Sequence, residues 1–177
     1  MVERGVLMTE RLQLEPVAPK HAEALFQAVT ASRRELLPWM PWARNPGLES
    51  SRRATEDGER DWLEGRRFHF AVVERPAFQA IGVVGLDRAG AGTAELHYWI
   101  RSDRSGCGLT TEACRALIAW SPRALGVRRL TLWAGQQNHA SRRVAAKLGF
   151  CDAGPLDWRP AGGLGTFDAE LYELELD

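Results

Sequence analysis

The stretch Ile100–Ala113 constrains the fold most strongly. An apolar strand end runs through Gly106-Cys107-Gly108 straight into a predicted helix. Glycines at that junction let the backbone turn tightly and come close to a ligand. The first-turn N–H groups of the helix then point outward at its positive dipole end. Such a device holds phosphate oxygens. A Gly-rich turn with Thr110 or Thr111 as N-cap, binding nothing, is the competing reading, and this stretch alone leaves both open. Two other phosphate devices are excluded. A Walker loop needs Lys before Ser/Thr, and here Leu109 precedes Thr110. The dinucleotide fingerprint needs a third glycine where Thr111 stands, and it opens the first βαβ unit, whereas this loop lies past mid-chain.

Flanking periodicities supply the layers. Leu12 and Leu14 alternate with polar residues over Arg11–Glu15, which predicts a strand. Ala22, Leu25, Phe26 and Val29 fall at helical spacing in His21–Val29. Pro38 and Pro41 exclude a helix interior over Leu36–Trp42 and predict a loop or single turn that buries Trp39 and Trp42. Ser50–Arg66 reads as a polar helix anchored by Ala54, Trp62 and Leu63. Phe68–Glu74 and Gln79–Leu86, separated by Pro76, predict a hairpin, and Ala94–Arg101 a third strand after the Gly90–Gly92 turn. A helix over Thr111–Ala119 is expected to end or bend at Pro122. Arg129–Ala134 reads as a strand. Ala140–Leu148 reads as a helix with Ala140, Val144 and Leu148 aligned, capped by Gly149. Phe150–Pro155 and Thr166–Leu176 read as closing strands. This order predicts one α/β (α+β) domain over residues 1–177, a mixed central sheet of about seven strands flanked by helices.

Composition narrows the chemistry. Lys+Arg and Asp+Glu are both 23, so the basic surplus expected of a phosphate-neutralising nucleic-acid binder is absent. Lys20 and Lys147 are the only lysines, and neither has a setting for lysine-based cofactor chemistry. Cys107, Cys114 and Cys151 form no CxxC pair, which argues against a disulfide framework or structural zinc and for a reducing compartment. With no signal-peptide pattern and no apolar run of about 20 residues, the chain reads as soluble and cytoplasmic, without metal, nucleic acid or membrane partner. Cys107 has no sequence-evident His partner as a nucleophile, and His69 in Phe68-His69-Phe70 reads as structural.

Several motifs, in order, resemble the GNAT N-acetyltransferase superfamily, in the branch that includes ribosomal-protein N-terminal (RimJ/RimL-like) acetyltransferases. They are Thr9–Leu14, Leu37–Trp42, Ala94–Ile100, Gly106-x-Gly108-x-Thr110-Thr111-Glu112-Ala113, and Asn138–Ser141 followed by Val144–Phe150. The resemblance covers nearly the whole chain. It departs at Ser105 and Thr110, where the family's loop usually carries Gln or Arg and Ala or Gly, and at His97, often glycine.

The resemblance implies acetyl transfer from acetyl-CoA to a primary amine, a protein N-terminus or a small molecule, by direct attack. Transfer of a larger acyl group such as succinyl, or a non-catalytic acyl-CoA-binding module, is the alternative, and a homodimer is left open. By resemblance, amides of Gly106, Gly108, Leu109 and Thr110 hold the pyrophosphate within a loop that includes Ser105, Cys107 and Thr111, with Ser105 still offering its N–H. Trp99, Ile100 and Arg101 pair with the pantetheine arm, which Asn138 also contacts. Ser141 donates a proton to the leaving sulfur. Arg142 or Arg143 reaches the 3′-phosphate, unless it is merely solvated helix charge. Glu95 is the first choice for general base through water, with His97 as rival. In a regular strand Glu95, His97, Trp99 and Arg101 share one face. The competing readings are a salt-bridged strand residue for Glu95 and a structural histidine for His97.

Overall fold

Short alternating segments pair into a single sheet. The computed structural model describes residues 2–156 and 168–176. Its strands are β1 (Leu7–Met8), β2 (Leu12–Pro16), β3 (Arg67–Glu74), β4 (Gln79–Gly90), β5 (Thr93–Ile100), β6 (Arg129–Gly135), β7 (Cys151–Leu156) and β8 (Ala169–Glu175). They lie in the order β1-β2-β3-β4-β5-β6-β8-β7. Every neighbouring pair is antiparallel except β5 and β6. Parallel strands need a long crossover. Here the loop and the helix α4 (Leu109–Leu125) supply it. The described residues hold eight strands where about seven were expected, and the shortest, β1, has two residues. Thr166 and Phe167, expected at the start of the last strand, lie outside the described residues.

Side-chain alternation gives the sheet two apolar faces. One carries Leu12, Leu14, Phe68, Phe70, Leu86 and Leu96 against Leu109, Ala113 and Leu117 of α4. Trp62, near the end of α3 (Leu48–Leu63), meets Phe68 and Phe70 edge-on, with centroids 5.2 and 5.0 Å away. Each such side chain contributes about 1.5–3 kcal/mol by leaving water. On the other face Ala71, Val73 and Ala80 pack with Val17 and with Leu25 of α1 (Ala22–Ala31). Trp99 joins this cluster to Val29, Leu36 of α2 (Arg33–Leu36) and Ala43. Glu95 and His97 of β5 lie on this second face, half-buried.

Four local expectations change. Trp42 sits on a 3₁₀ turn, Pro41–Arg44, and is 53% exposed, its ring meeting Trp99 edge-on with centroids 5.7 Å apart, while Ala43 is the buried residue of the turn. In α3 the buried residues are Thr55, Asp61 and Trp62, while Ala54 and Leu63 face solvent. The helix α5 (His139–Leu148) buries Ala145 and exposes Ala140, so its inward stripe is rotated by one position. α4 runs through Pro122 to Leu125. Proline cannot donate to the carbonyl four residues back. The Ser121 hydroxyl bonds that carbonyl, Ile118 O, at 3.0 Å. Gly126 ends α4 and Gly149 ends α5, both left-handed at φ 68° and 86°.

Candidate active site

The parallel ladder between β5 and β6 has three register pairs, Thr93–Arg129, Ala94–Leu130 and Glu95–Thr131, and then the strands part. The Arg101 amide bonds Ile81 O of β4 at 2.8 Å. By strand alternation the main-chain groups of Tyr98 and Ile100 therefore face the opening, while those of Trp99 and Arg101 serve β4. The Arg101 guanidinium is held by Asp103 at 2.8 Å.

Two side-chain bonds span the opening. On one face the Trp133 indole donates to Glu95 Oε1 at 2.5 Å. On the other, the Tyr98 hydroxyl meets Ser141 Oγ at 2.8 Å and lies 3.3 Å from Ser141 O, the longer of its two contacts. Burial pushes the Tyr98 phenol well above its ordinary value, so it stays protonated. Ser141 is held in turn by Asn138, whose Oδ1 accepts its amide at 3.1 Å as the N-cap of α5. That bond leaves the Asn138 amide nitrogen to donate elsewhere.

Glu95 and His97 share a face, as expected, with His97 Nε2 3.3 Å from Glu95 Oε1 and 3.6 Å from Asp87 Oδ2. Burial pulls the His97 imidazole below its ordinary value, against the opposing charges of Glu95 and Asp87, so it is neutral near pH 7. His69 belongs to the same group. Its Nε2 bonds Asp87 Oδ1 at 2.6 Å. Gly85 makes this possible, since a Cβ there would lie 2.2 Å from His69 Cδ2. Burial raises the Asp87 carboxyl, but the His69 bond and the charges of His69, His97 and Arg67 outweigh it and hold the group below its ordinary value.

The loop before α4 presents donors. Gly106 and Gly108 are left-handed, at φ 79° and 80°, as the turn requires. The amides from Gly106 to Thr111 have no acceptor among the described residues, whereas Glu112 N bonds Gly108 O. Leu109 sends its side chain into the core, so only its amide can serve a ligand. Ser105 does not fit its expected part, because its N–H bonds Ser102 O at 3.1 Å in the preceding 3₁₀ turn. Cys107 is exposed, and Arg11 donates to its carbonyl at 2.9 Å. Arg11 also bonds Glu112 Oε2 at 2.7 Å, and Thr9 bonds Glu112 Oε1 at 2.6 Å, which fixes the start of α4 to the N-terminal strands.

Beside this loop lies a cavity of about 660 Å³ lined by Arg11, Gly108, Thr111, Arg115 and Lys147 among others. Glu10 and Glu112 also line it, and Arg11 is paired with Glu112, so Arg115 and Lys147 are the lining cations that stand beside the loop amides for a phosphate-rich ligand. On α5, Arg142 is engaged by Tyr172 and Glu170, whereas Arg143 is exposed. Among the described residues no group of three His, Cys, Asp or Glu is placed to hold a metal ion, and no helix is long and apolar enough to cross a membrane.

Sequence reasoning missed Tyr98, Trp133, Asp87, Arg11, Arg115 and Lys147. The register could have found Asp87, which stands opposite Glu95 across the β4–β5 hairpin. The others meet the site only through packing of distant elements.

Comparison with known proteins places these features in context. A family model described as an acetyltransferase (GNAT) domain matches residues 11–151. The ribosomal-protein-serine acetyltransferase of Escherichia coli (strain K12) is 27% identical over 174 residues, covering 97% of each chain. Among solved structures, RimL, a ribosomal L7/L12 α-N-protein acetyltransferase in complex with coenzyme A, superposes with a TM-score of 0.89 at 19% identity, covering 98% of this chain and 99% of that one. The microcin C7 self-immunity acetyltransferase MccE, in complex with acetyl-CoA and AMP, gives 0.84 at 20% identity, over 95% of this chain and 94% of that one.

Proposed function

The chain belongs to the GNAT acetyltransferase family, and on that premise we propose that it moves the acetyl group of acetyl-CoA to the N-terminal amine of a protein in the cytoplasm. The observation that carries this reading is the pairing of the amide run Gly106–Thr111 with the parted strands β5 and β6, which have Glu95 at the branch. The acceptor class rests on the relatives, one named a ribosomal-protein-serine acetyltransferase and another a ribosomal L7/L12 α-N-protein acetyltransferase.

Acetyl-CoA brings an activated thioester. The protein binds it at the loop amides and at Arg115 and Lys147, with the Ile100 and Tyr98 main chain and the Asn138 side-chain nitrogen along the pantetheine arm. Arg143 is the exposed cation left for the 3′-phosphate. Glu95, oriented by Trp133 and flanked by neutral His97, takes the ammonium proton through water. Ser141 lies across the opening and protonates the leaving sulfur.

The test is acetylation of a peptide panel with varied N-termini, alongside small amines, followed by mass spectrometry with acetyl-CoA and succinyl-CoA in competition. Acetylated peptide N-termini are expected. Binding of acetyl-CoA without acyl transfer to any acceptor would overturn the proposal.

A further inference from the structure

We propose that Tyr98 is a positioning residue for acetyl transfer, turning the Ser141 hydroxyl proton toward the departing sulfur by donating its own proton to Ser141 Oγ. This rests on the reading of Ser141 as the acid.

Tyr98 reaches Ser141 because two periodicities meet. On β5, Ala94, Leu96 and Tyr98 alternate toward the α4 side, opposite to Glu95 and His97. On α5, Ser141 stands one turn before the buried Ala145 and so faces the same layer. The phenol oxygen then lies 2.8 Å from Ser141 Oγ and 3.3 Å from Ser141 O, so both of its partners belong to one residue. The Ser141 amide is spent on Asn138, which leaves the hydroxyl as the only proton of Ser141 able to reach a ligand.

A serine hydroxyl has one proton and two lone pairs. If Ser141 donated to Tyr98, its proton would point into the sheet. If Tyr98 donates to Oγ, a lone pair is satisfied and the Ser141 proton is directed to the opening between β5 and β6. Burial favours the second arrangement during reaction, because a phenol kept protonated in a low-dielectric setting donates a hydrogen bond to Oγ as negative charge builds there.

The step balances. The amine nitrogen forms a bond to the acetyl carbon as the C–S bond breaks. Sulfur takes the Ser141 proton; nitrogen gives up two protons, one to the base before attack and one after the C–N bond forms, of which one is relayed through water to Oγ and the other leaves to solvent. Tyr98 keeps its proton throughout, so its hydroxyl is a donor and not a reservoir.

The test is a double-mutant cycle on the full chain with Tyr98→Phe, Ser141→Ala and the pair. Each variant is checked for an unchanged melting transition, and kcat is separated from KM. Tyr98→Phe should lower kcat about 10-fold, the size of a lost hydrogen bond to a charged group, with KM for acetyl-CoA unchanged. Ser141→Ala should lower kcat further, and the double variant should be no slower than Ser141→Ala alone. Wild-type kcat in Tyr98→Phe beside a slow Ser141→Ala, or additive losses in the pair, would overturn the role of Tyr98. Wild-type kcat in Ser141→Ala would instead remove Ser141 as the acid, and this inference with it.

Discussion

Trp133 and Glu95 stand on neighbouring parallel strands, and the indole N–H of the first donates to the carboxylate of the second at 2.5 Å just where the main-chain ladder between them stops. A side chain therefore replaces the backbone in joining β5 to β6. One Glu95 oxygen is committed to Trp133, and the other is left to accept a proton. Glu95→Gln keeps the shape and removes the basicity. It should lower kcat/KM by about 10²–10⁴-fold, the usual contribution of a general base, with acetyl-CoA affinity intact. Steady-state kinetics with calorimetric titration checks both halves.

Gly108 is left-handed at φ 80°, and a Cβ there would lie 3.5 Å from Arg11 Nη2. Gly108→Val adds a branched side chain at the proposed phosphate contact, with a conformational cost of about 1–2 kcal/mol. Loss of CoA binding in calorimetry is expected, with the fold retained by circular dichroism. CoA affinity equal to wild type would remove the loop from the binding site.

Gly85 carries a different constraint, since its φ is not left-handed and the conflict is with the His69 ring. Gly85→Ala should push His69 off Asp87 and destabilise the protein by about 1–3 kcal/mol, as overpacking does. The double variant Gly85→Ala/His69→Ala should recover part of that loss. Denaturant titration measures it, and equal stability of the two variants would contradict the packing argument.

Acid should unfold the protein in two stages. Burial holds His97 and His21 below the ordinary histidine value of 6.5, so below that pH the unfolded chain binds protons that the folded one refuses, and stability falls. Asp87 is held below its ordinary 3.8, so its contribution, complete above that value, disappears as pH drops through the lower folded value. Melting temperature should decline from pH 7 toward 5 and again below 4. His97→Gln should flatten the first decline, and an unchanged slope there would show that His97 is not responsible.

How much of this was legible in the chain follows from the range of each signal. Leu12/Leu14, the Phe68–Glu74 hairpin strand and the Gly106-x-Gly108 junction were readable because period-two alternation and left-handed glycines are local properties of the backbone. The shared face of Glu95 and His97 followed from the same rule. Ser105 departs from expectation because local sequence does not reveal which carbonyl an amide will find, and Trp42 because apolar character does not say which side chain of a turn will face inward. The amino-acid sequence by itself determined the α/β layering, the place of the Gly106–Gly108 loop before its helix and the shared face of Glu95 and His97. Only the tertiary structure decided that Trp133 holds Glu95, that Tyr98 holds Ser141 and that Gly85 admits His69. Those contacts join elements distant in the chain or depend on side-chain packing across the sheet, and close packing rather than periodicity sets their geometry.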